Sequence, residues 1–215
     1  MIGSVAPITR FARGSQSSTS SQPTPQATAQ ATPTPEGTPE GTPTVTTQRY
    51  GGAPAMTIDT NKSYFAVIHT EKGDMRVELF AQQAPQTVNN FVFLARDGFY
   101  NGLTFFWVKP DFVAQTGDPE ETGRGGPGYA IPDENSGVPF QAGTLGMSKK
   151  GDEPNSAGSQ FFITLTDQPQ LTGEDTSFGR VVEGMDVLLS LTPRDPLGAD
   201  LPPGDKVLSI DIEEK

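Results

Sequence analysis

The 215-residue sequence has no cysteine and a single histidine, His69. Without cysteine, the chain has no disulfides, thiolate metal sites, cysteine nucleophiles or thiol redox chemistry. One histidine excludes a zinc site built from several imidazoles. His69 lies within a strand-like stretch, with no serine or carboxylate at a spacing diagnostic of a catalytic triad. We therefore interpret His69 as a structural or surface residue, and we expect neither a metal nor a cofactor.

Basic charge and long apolar runs are also scarce. The chain has 15 Lys and Arg against 26 Asp and Glu, a formal net charge of -11. A nucleic-acid backbone requires a basic surface, so nucleic acid is not an expected partner. No apolar run approaches the roughly 20 residues that span a bilayer. Any membrane association is therefore expected to be indirect, through an anchor upstream of this sequence, and we expect a monomer.

The first part of the chain is low in large apolar side chains. Residues 15–47 consist mainly of Ser, Thr and Pro, and Val45 is their one large apolar residue. Such a segment buries too little surface to offset the entropy of ordering it, and its prolines favour extended geometry. We predict a disordered tail or tether over residues 1–57 and a folded domain over residues 58–215. A proline-rich ligand for a small recognition domain is the alternative function of the tail.

Residues 1–14 are mildly apolar and include two arginines. They lack the leading positive charge and the apolar core of a full signal peptide, but are compatible with the remnant of a signal or anchor. By analogy with other tethers, we expect an extracytoplasmic or membrane-tethered domain, while a cytoplasmic location stays open. Two alternatives to a free tail are that Ile2–Phe11 folds back onto a groove or that Tyr50–Met56 packs beside the first strand.

The sequence from residue 58 onward predicts many short strands and two helices. Met75, Val77 and Leu79 alternate with polar residues, as expected for a half-buried strand. Pro85 begins a stretch with apolar residues at helical spacing, and Gly98 suits its end. The remaining predicted elements are strands at Tyr64–Thr70, Thr104–Val108, Phe112–Thr116, Gly143–Met147, Phe161–Thr164, Phe178–Val182 and Lys206–Ile212, and a helix at Met185–Leu191. The pattern favours a mainly β fold, a closed antiparallel barrel of eight strands accompanied by two helices.

A glycine-rich stretch, Gly123–Gly128, matches the dinucleotide pattern G-x-G-x-x-G. That pattern binds a pyrophosphate only where a strand precedes it and a helix follows it. Asp118 and Pro119 precede the stretch and Pro127 lies within it, so no helix is expected to begin there. We interpret it as a tight structural loop.

Six of the 18 aromatic residues lie in two short blocks that also hold two glutamines, Gln115 and Gln160. Neighbouring side chains on a strand point to opposite faces. We therefore predict that Phe105 and Phe161 lie in the core, while the other member of each Phe-Phe pair lines an outer groove. The aromatic residues of the two blocks are Phe105, Phe106, Trp107, Phe112, Phe161 and Phe162.

Several of these stretches together resemble the cyclophilins, which are peptidyl-prolyl cis-trans isomerases. The resemblance runs from about Tyr64 to the C-terminus in one collinear order and implies an eight-stranded barrel capped by two helices. Its clearest motifs are Asn155-Ser156-Ala157-Gly158-Ser159-Gln160-Phe161-Phe162-Ile163, Gln115-Thr116-Gly117-Asp118-Pro119, Ala84-Pro85-Gln86-Thr87-Val88-Asn89-Asn90-Phe91 and Phe178-Gly179-Arg180-Val181.

The resemblance implies binding of proline-containing polypeptides and rotation of the X-Pro bond. That reaction needs an apolar pocket for the proline ring and donors that favour the twisted amide over the planar one. The resemblance assigns Trp107, Gln115 and Phe112 to catalysis. The substrate-binding set that it implies is Phe106, Val113, Ser148, Lys149, Gln160, Phe162, Gln170, Leu171 and Asp175.

The sequence departs from the cyclophilin pattern at four of these positions. Cyclophilins typically have arginine at the position of Trp107 and histidine at that of Phe106, and commonly have tryptophan and histidine where Gln170 and Asp175 stand. An indole offers one neutral donor, whereas a guanidinium offers five in a charged fork. We therefore expect an isomerase of reduced activity. The alternatives are a proline-peptide-binding module or chaperone without useful catalysis, and a small-molecule-binding barrel.

Overall fold

The predicted strands and helices occur close to their predicted positions. In a computed structural model, the described residues are 50–198 and 201–215, all within the compact unit Gly41–Lys215. The elements are β1 (Tyr64–Thr70), β2 (Gly73–Leu79), α1 (Pro85–Arg96), β3 (Trp107–Lys109), β4 (Val113–Thr116), β5 (Thr144–Met147), β6 (Phe161–Thr164), a 3₁₀ turn (Pro169–Leu171), β7 (Ser177–Glu183), α2 (Met185–Leu189) and β8 (Val207–Glu214). The predicted disordered tail spans residues 1–57, and its part over residues 1–49, with the signal remnant and the fold-back of Ile2–Phe11, lies outside the described residues.

The eight strands form one curled antiparallel sheet in the order β3-β4-β6-β5-β7-β2-β1-β8. The predicted closed barrel is wrong, because no strand ladder joins β3 to β8 in the described part of the chain. Instead, the Val108 N–H donates to the carbonyl of Arg194 at 2.8 Å, and the Arg194 N–H donates back to Val108 at 2.9 Å. A loop therefore occupies the outer edge of β3. The segment before β3 meets the start of β8 through the bridge between Thr104 and Lys206 and through the Gly102 N–H, which donates to the carbonyl of Val207 at 2.7 Å.

The start of β3 is the largest difference from the predicted strand ends. Residues 104–106 were predicted as strand, but the Phe105 N–H donates to the carbonyl of Asp205 at 2.9 Å. The Thr116 hydroxyl, in β4, donates to the carbonyl of Thr104 at 2.7 Å. These residues are therefore held by the segment before β8 and by a side chain, and the β3–β4 pairing begins only at Trp107.

The apolar periodicities of the sequence lead into one core. Met75, Val77 and Leu79 are buried on β2, as predicted. Helix α1 packs against β8 and α2 packs against β2. Phe105 and Phe161 are fully buried, which confirms their assignment to the core. The Phe91 ring of α1 meets the Phe161 ring edge to face, with 5.4 Å between the ring centroids.

A carboxylate from a distant loop caps helix α1. Pro85 occupies the first turn, and the N-cap residue, Ala84, has no side chain that accepts a hydrogen bond. Glu134 supplies the missing acceptors: it receives the backbone N–H of Gln86 at 3.0 Å and that of Thr87 at 2.8 Å. These are the helix-terminal donors that otherwise lack partners, and a carboxylate also suits the positive end of the helix dipole.

Residues just before the predicted domain boundary at 58 pack on α1 and its surroundings. The Tyr50 N–H donates to the carbonyl of Pro127 at 2.8 Å, and its ring lies 5.3 Å from that of Phe93. The Thr57 N–H donates to the buried amide oxygen of Asn89 at 2.8 Å. The contacts of Tyr50 and Thr57 are thus with α1, with Phe99 just after it, and with the glycine-rich stretch and the adjoining Tyr129, whereas β1 is paired by β2 and β8. Within the described ranges, no helix has the length and apolar character needed to cross a membrane.

Candidate active site

A second apolar cluster lies apart from the main core. Val113, Phe140 and Phe162 are buried together, and Trp107, Phe112 and Leu171 pack against them half-buried. Beside this cluster is a cavity of about 200 Å³, the aromatic cavity. Its lining is made of Trp107, Phe112, Val113, Gln115, Ser148, Lys149, Gly151, Phe162, Leu171 and Asp175.

Strand register aligns the central residues of the aromatic cavity in a row. Trp107 on β3 lies opposite Gln115 on β4, and Gln115 lies opposite Phe162 on β6. Directly opposed residues of antiparallel strands present their side chains on the same face of the sheet. Three short strands thereby place an indole, an amide and a phenyl ring side by side at the cavity.

A glycine on β5 makes room for the aromatic wall. Gly146 pairs with Phe162, and a Cβ at position 146 would collide with the rings of both Phe162 and Phe140. Because glycine has no Cβ, the rings of Phe140 and Phe162 can stack here, with centroids 5.6 Å apart and an interplanar angle of 25°. Sequence reasoning missed Phe140 and Gly146. A glycine inside a strand pattern is a signal of close approach, whereas Phe140 stands in a loop without periodicity.

The two glutamines form a continuous chain of amide hydrogen bonds. Gln115 Nε2 donates to Gln160 Oε1 at 2.9 Å and to Ser148 Oγ at 3.0 Å. Gln160 Nε2 donates in turn to the carbonyl of Gly125 at 2.8 Å. Both Nε2 hydrogens of Gln115 are thus engaged. The group that Gln115 retains for a ligand is its carbonyl oxygen, which accepts an N–H such as that of a peptide backbone.

Two opposite charges lie at the edge of the aromatic cavity. Lys149 is the one Lys or Arg among its lining residues in the described part of the chain. Its Nζ donates to the carbonyl of Glu174 at 2.6 Å and lies 4.0 Å from Asp175 Oδ1. Burial raises the pKa of the Asp175 carboxyl above its ordinary value, and the nearby Lys149 opposes this rise.

The structure brings together most of the residues that the sequence singled out. Every lining residue of the aromatic cavity except Gly151 was predicted as a site residue. Phe106 does not line it: Phe106 is 2% exposed and precedes Trp107, whose side chain takes the cavity side. Gln170 does not line it either, since its amide donates to Gln168 Oε1 at 2.6 Å within the turn beside Leu171. The roles predicted for Phe106 and Gln170 have no counterpart in this cavity.

Gln160 lies at a neighbouring and larger cavity of about 360 Å³, the glycine-loop cavity. Ser148 and Lys149 line both cavities. The stretch Gly123–Gly128 forms one wall and no helix follows it, which confirms that it is a loop. Asp118 holds the loop's shape, because its carboxylate accepts the backbone N–H groups of Glu120, Thr122 and Gly123.

Comparison with known proteins agrees with this geometry. The family model described as cyclophilin type peptidyl-prolyl cis-trans isomerase matches residues 65–208. A peptidyl-prolyl cis-trans isomerase of Synechococcus elongatus is 46% identical over 149 residues, which cover 68% of this chain and 94% of that protein. Peptidyl-prolyl cis-trans isomerase B of Bacillus subtilis is 47% identical over 120 residues, or 55% of this chain and 82% of the relative.

Solved structures give the same result. The crystal structure of a cyclophilin type peptidyl-prolyl cis-trans isomerase from Cryptosporidium parvum matches with a TM-score of 0.64 and 33% identity, covering 70% of this chain and 98% of that chain. A second structure of it, in the presence of the dipeptide Ala-Pro, also has a TM-score of 0.64. Because the family model matches more than half of the sequence and the fold agrees, this chain belongs to the cyclophilin-type peptidyl-prolyl cis-trans isomerase family.

Proposed function

We propose that this chain catalyses the cis-trans isomerisation of X-Pro bonds in polypeptides, at a lower rate than a relative with arginine at the position of Trp107. The observation that carries the proposal is the row of Trp107, Gln115 and Phe162 across three strands, at one wall of a cavity of about 200 Å³. This row places hydrogen-bonding groups directly beside an apolar pocket.

The reaction requires no nucleophile and no metal. Amide resonance gives the peptide bond a rotation barrier of about 20 kcal/mol, while the cis and trans forms of an X-Pro bond differ by only about 1 kcal/mol. A catalyst accelerates the rotation by binding the twisted amide more tightly than the planar one. It therefore needs to hold the proline ring and to hydrogen-bond the groups around the rotating bond.

Each of these tasks has a group in the aromatic cavity. Phe112, Phe162 and Leu171 supply an apolar surface suited to a proline ring. The free carbonyl oxygen of Gln115 accepts a backbone N–H of the bound polypeptide. Trp107 Nε1 has no hydrogen-bond acceptor among the described residues, so the indole retains one donor for the substrate.

The neutral donor is the reason for expecting slow catalysis. When the amide twists, the lone pair of the prolyl nitrogen is no longer delocalised into the carbonyl, and a charged donor stabilises that localised lone pair more strongly than a neutral one. Replacing such a transition-state donor costs on the order of 3 kcal/mol, about a hundredfold in rate. The chain therefore combines a complete apolar pocket with a weakened donor.

An NMR exchange assay tests the proposal. The full chain is added to an Ala-X-Pro-Phe peptide, and the cis-to-trans exchange rate is measured against the peptide alone. We expect a rate above the uncatalysed one that falls by at least about tenfold in Phe112→Ala, because the pocket loses its aromatic wall. A rate equal to the uncatalysed one at high protein concentration would overturn the proposal.

The same measurement separates the second candidate, a proline-peptide-binding module or chaperone. The observation in its favour is that Phe112, Phe162 and Leu171 give the cavity an apolar lining, while the residue of β3 that lines it is Trp107, whose indole is a neutral donor. A binding module would shift the peptide resonances on titration and leave the exchange rate unchanged.

A further inference from the structure

The glycine-loop cavity differs in charge from the chain as a whole. The chain carries a net charge of -11, yet Arg124, Lys149 and Lys150 all line this cavity. Within the described residues, no Asp or Glu lines it. The carboxylate of Asp118, behind the loop, is occupied by three backbone N–H groups. The cavity is therefore a local concentration of positive charge on an acidic protein.

Two of the three cations are free to bind a ligand. Lys149 is engaged by the Glu174 carbonyl and lies near Asp175. Arg124 and Lys150 are exposed, and neither side chain forms an ion pair with a described residue. Both also line a further cavity of about 540 Å³, together with Thr122, Gly123 and Gly151. The glycine-loop cavity and this further cavity share Gly123, Arg124 and Lys150, and together they form one cleft. Arg124 and Lys150 flank this cleft.

The backbone on both sides of this cleft is held in place. The Lys150 N–H donates to Ser156 Oγ at 2.9 Å, and Ser156 Oγ donates to the carbonyl of Glu153 at 2.6 Å. On the opposite side, the carboxylate of Asp118 shapes the loop that carries Arg124. A braced backbone limits the conformations that these long side chains must give up when they pair with a ligand.

The cleft is also continuous with the aromatic cavity. Ser148 and Lys149 belong to both cavities. The hydrogen bonds from Gln115 to Gln160 and from Gln160 to Gly125 connect one to the other. An extended chain advances about 3.3–3.6 Å per residue. A polypeptide with its proline in the aromatic cavity therefore places residues only a few positions away beside Arg124 and Lys150.

We infer that the glycine-loop cavity selects polypeptide substrates that carry Asp or Glu within a few residues of the isomerised proline. This inference rests on the proposed function, because it concerns the same bound polypeptide. Guanidinium and ammonium groups bind carboxylates through charge-assisted hydrogen bonds. Since both cations are exposed, solvent weakens each pair, and a preference of about three- to tenfold is the scale to expect. A long polyanion is disfavoured by the acidic remainder of the surface.

A matched peptide series tests this inference. Otherwise uncharged proline peptides carry Glu, Gln or Lys at one position, about two to four residues before the proline in one set and after it in the other. NMR exchange gives kcat/KM and NMR titration gives Kd, without a coupling protease whose own charge preference would interfere. The proteins are the full chain, Arg124→Gln/Lys150→Gln, and the control Lys62→Gln/Lys206→Gln, which removes the same charge outside both cavities.

In the unmodified chain, we expect kcat/KM for the Glu peptides of one set to exceed that for the matching Gln peptides by about three- to tenfold. We expect kcat/KM for the matching Lys peptides to be lower than for the Gln peptides. The ratio should approach one in Arg124→Gln/Lys150→Gln, stay unchanged in the control, and shrink at high salt. A ratio near one at every position, or a preference that survives in Arg124→Gln/Lys150→Gln, would overturn the inference. If no peptide is turned over, the proposed function fails, and the ratio of Kd values decides the inference by the same criteria.

Discussion

Trp107 lies directly opposite Gln115 in the antiparallel pairing of β3 and β4, and both side chains line the aromatic cavity. The indole also meets the Phe112 ring at 5.9 Å and an interplanar angle of 65°. The cyclophilin resemblance places an arginine at this position. In this chain, an indole in contact with a neighbouring ring stands at this position, beside the amide of Gln115.

Restoring the charge at this position should raise activity. We expect Trp107→Arg to increase kcat/KM by about ten- to a thousandfold, because a guanidinium stabilises the developing lone pair of the prolyl nitrogen better than an indole. NMR exchange on a fixed proline peptide measures the change. Trp107→Phe is the matched control, since it keeps an aromatic ring and removes the donor, and its rate should fall below that of the unmodified chain.

The companion change Phe106→His should add little to Trp107→Arg. Phe106 is 2% exposed and does not line the aromatic cavity. Burying an imidazole at this position would also cost free energy, because the ring loses its hydrogen bonds to water. If Trp107→Arg gives no gain while the circular dichroism spectrum and melting temperature are unchanged, Trp107 does not occupy the donor position.

Gln115 should be needed for both turnover and stability. Gln115→Leu removes the free acceptor and leaves Gln160 Oε1 and Ser148 Oγ without their donor. We expect kcat/KM to fall by about tenfold or more and the free energy of unfolding to fall by about 1–3 kcal/mol. Urea denaturation and NMR exchange measure the two effects separately. Gln170→Leu is the control, because Gln170 is outside the cavity, and a similar loss of kcat/KM in that variant would contradict the assignment.

His69 should make stability depend on pH. Its Nδ1 lies 2.8 Å from Asp74 Oδ1 and its Nε2 lies 3.3 Å from Asp211 Oδ2, so one imidazole joins β1 to β2 and β8. The hydrogen bond with Asp74 raises the pKa of His69 above its ordinary value, against an opposing effect of burial. The imidazolium is thus favoured in the folded state. Its stabilisation is fully present below about pH 6.5, the unfolded value, and is lost as pH rises through the higher folded pKa.

The measurement is urea denaturation at several pH values between about 5 and 9, for the unmodified chain and His69→Gln. The stability difference between them should shrink as pH rises through the folded pKa. His69 is the sole histidine of the chain, so its imidazole resonances report that pKa directly. A folded pKa at or below that of a model peptide would contradict the prediction.

Two truncations should differ in stability. Removing residues 1–49 should leave the melting temperature unchanged, because their composition offers no apolar periodicity with which to dock. Removing residues 1–57 also deletes the contacts of Tyr50 and Thr57, and leaves the buried amide of Asn89 without its partners at Ala55 and Thr57. We expect this second truncation to cost about 2 kcal/mol or more.

Differential scanning calorimetry of the two truncations and the full chain measures the difference. Tyr50→Ala in the full chain is the intermediate case, since it removes three ring contacts and the hydroxyl hydrogen bond to Asp97 and keeps the contacts of Ala55 and Thr57. Equal melting temperatures for all three proteins would mean that Tyr50–Thr57 contributes nothing to the stability of the domain.

The sequence by itself determined those features that depend on neighbouring residues. The alternation of Met75, Val77 and Leu79 located β2, and Pro85 with the helical spacing after it located α1, because backbone sterics and side-chain direction act over a few residues. The opposite faces of neighbouring strand residues also placed Phe105 and Phe161 in the core. The site residues Trp107, Gln115 and Phe162 followed from a resemblance between motifs, and their placement in one row was decided by strand register.

Only the tertiary structure decided the features that join distant segments. The sheet stays open because Val108 pairs with Arg194, which lies 86 positions later in the sequence. Helix α1 is capped by Glu134, and the ring of Phe140 stacks on Phe162 over Gly146. No local pattern marks such pairs, since whether they meet depends on the path of the whole chain and on the competition among all groups for the same partners. For the same reason, the sequence did not indicate that Arg124 and Lys150 line the same cleft, because the fold brings them together.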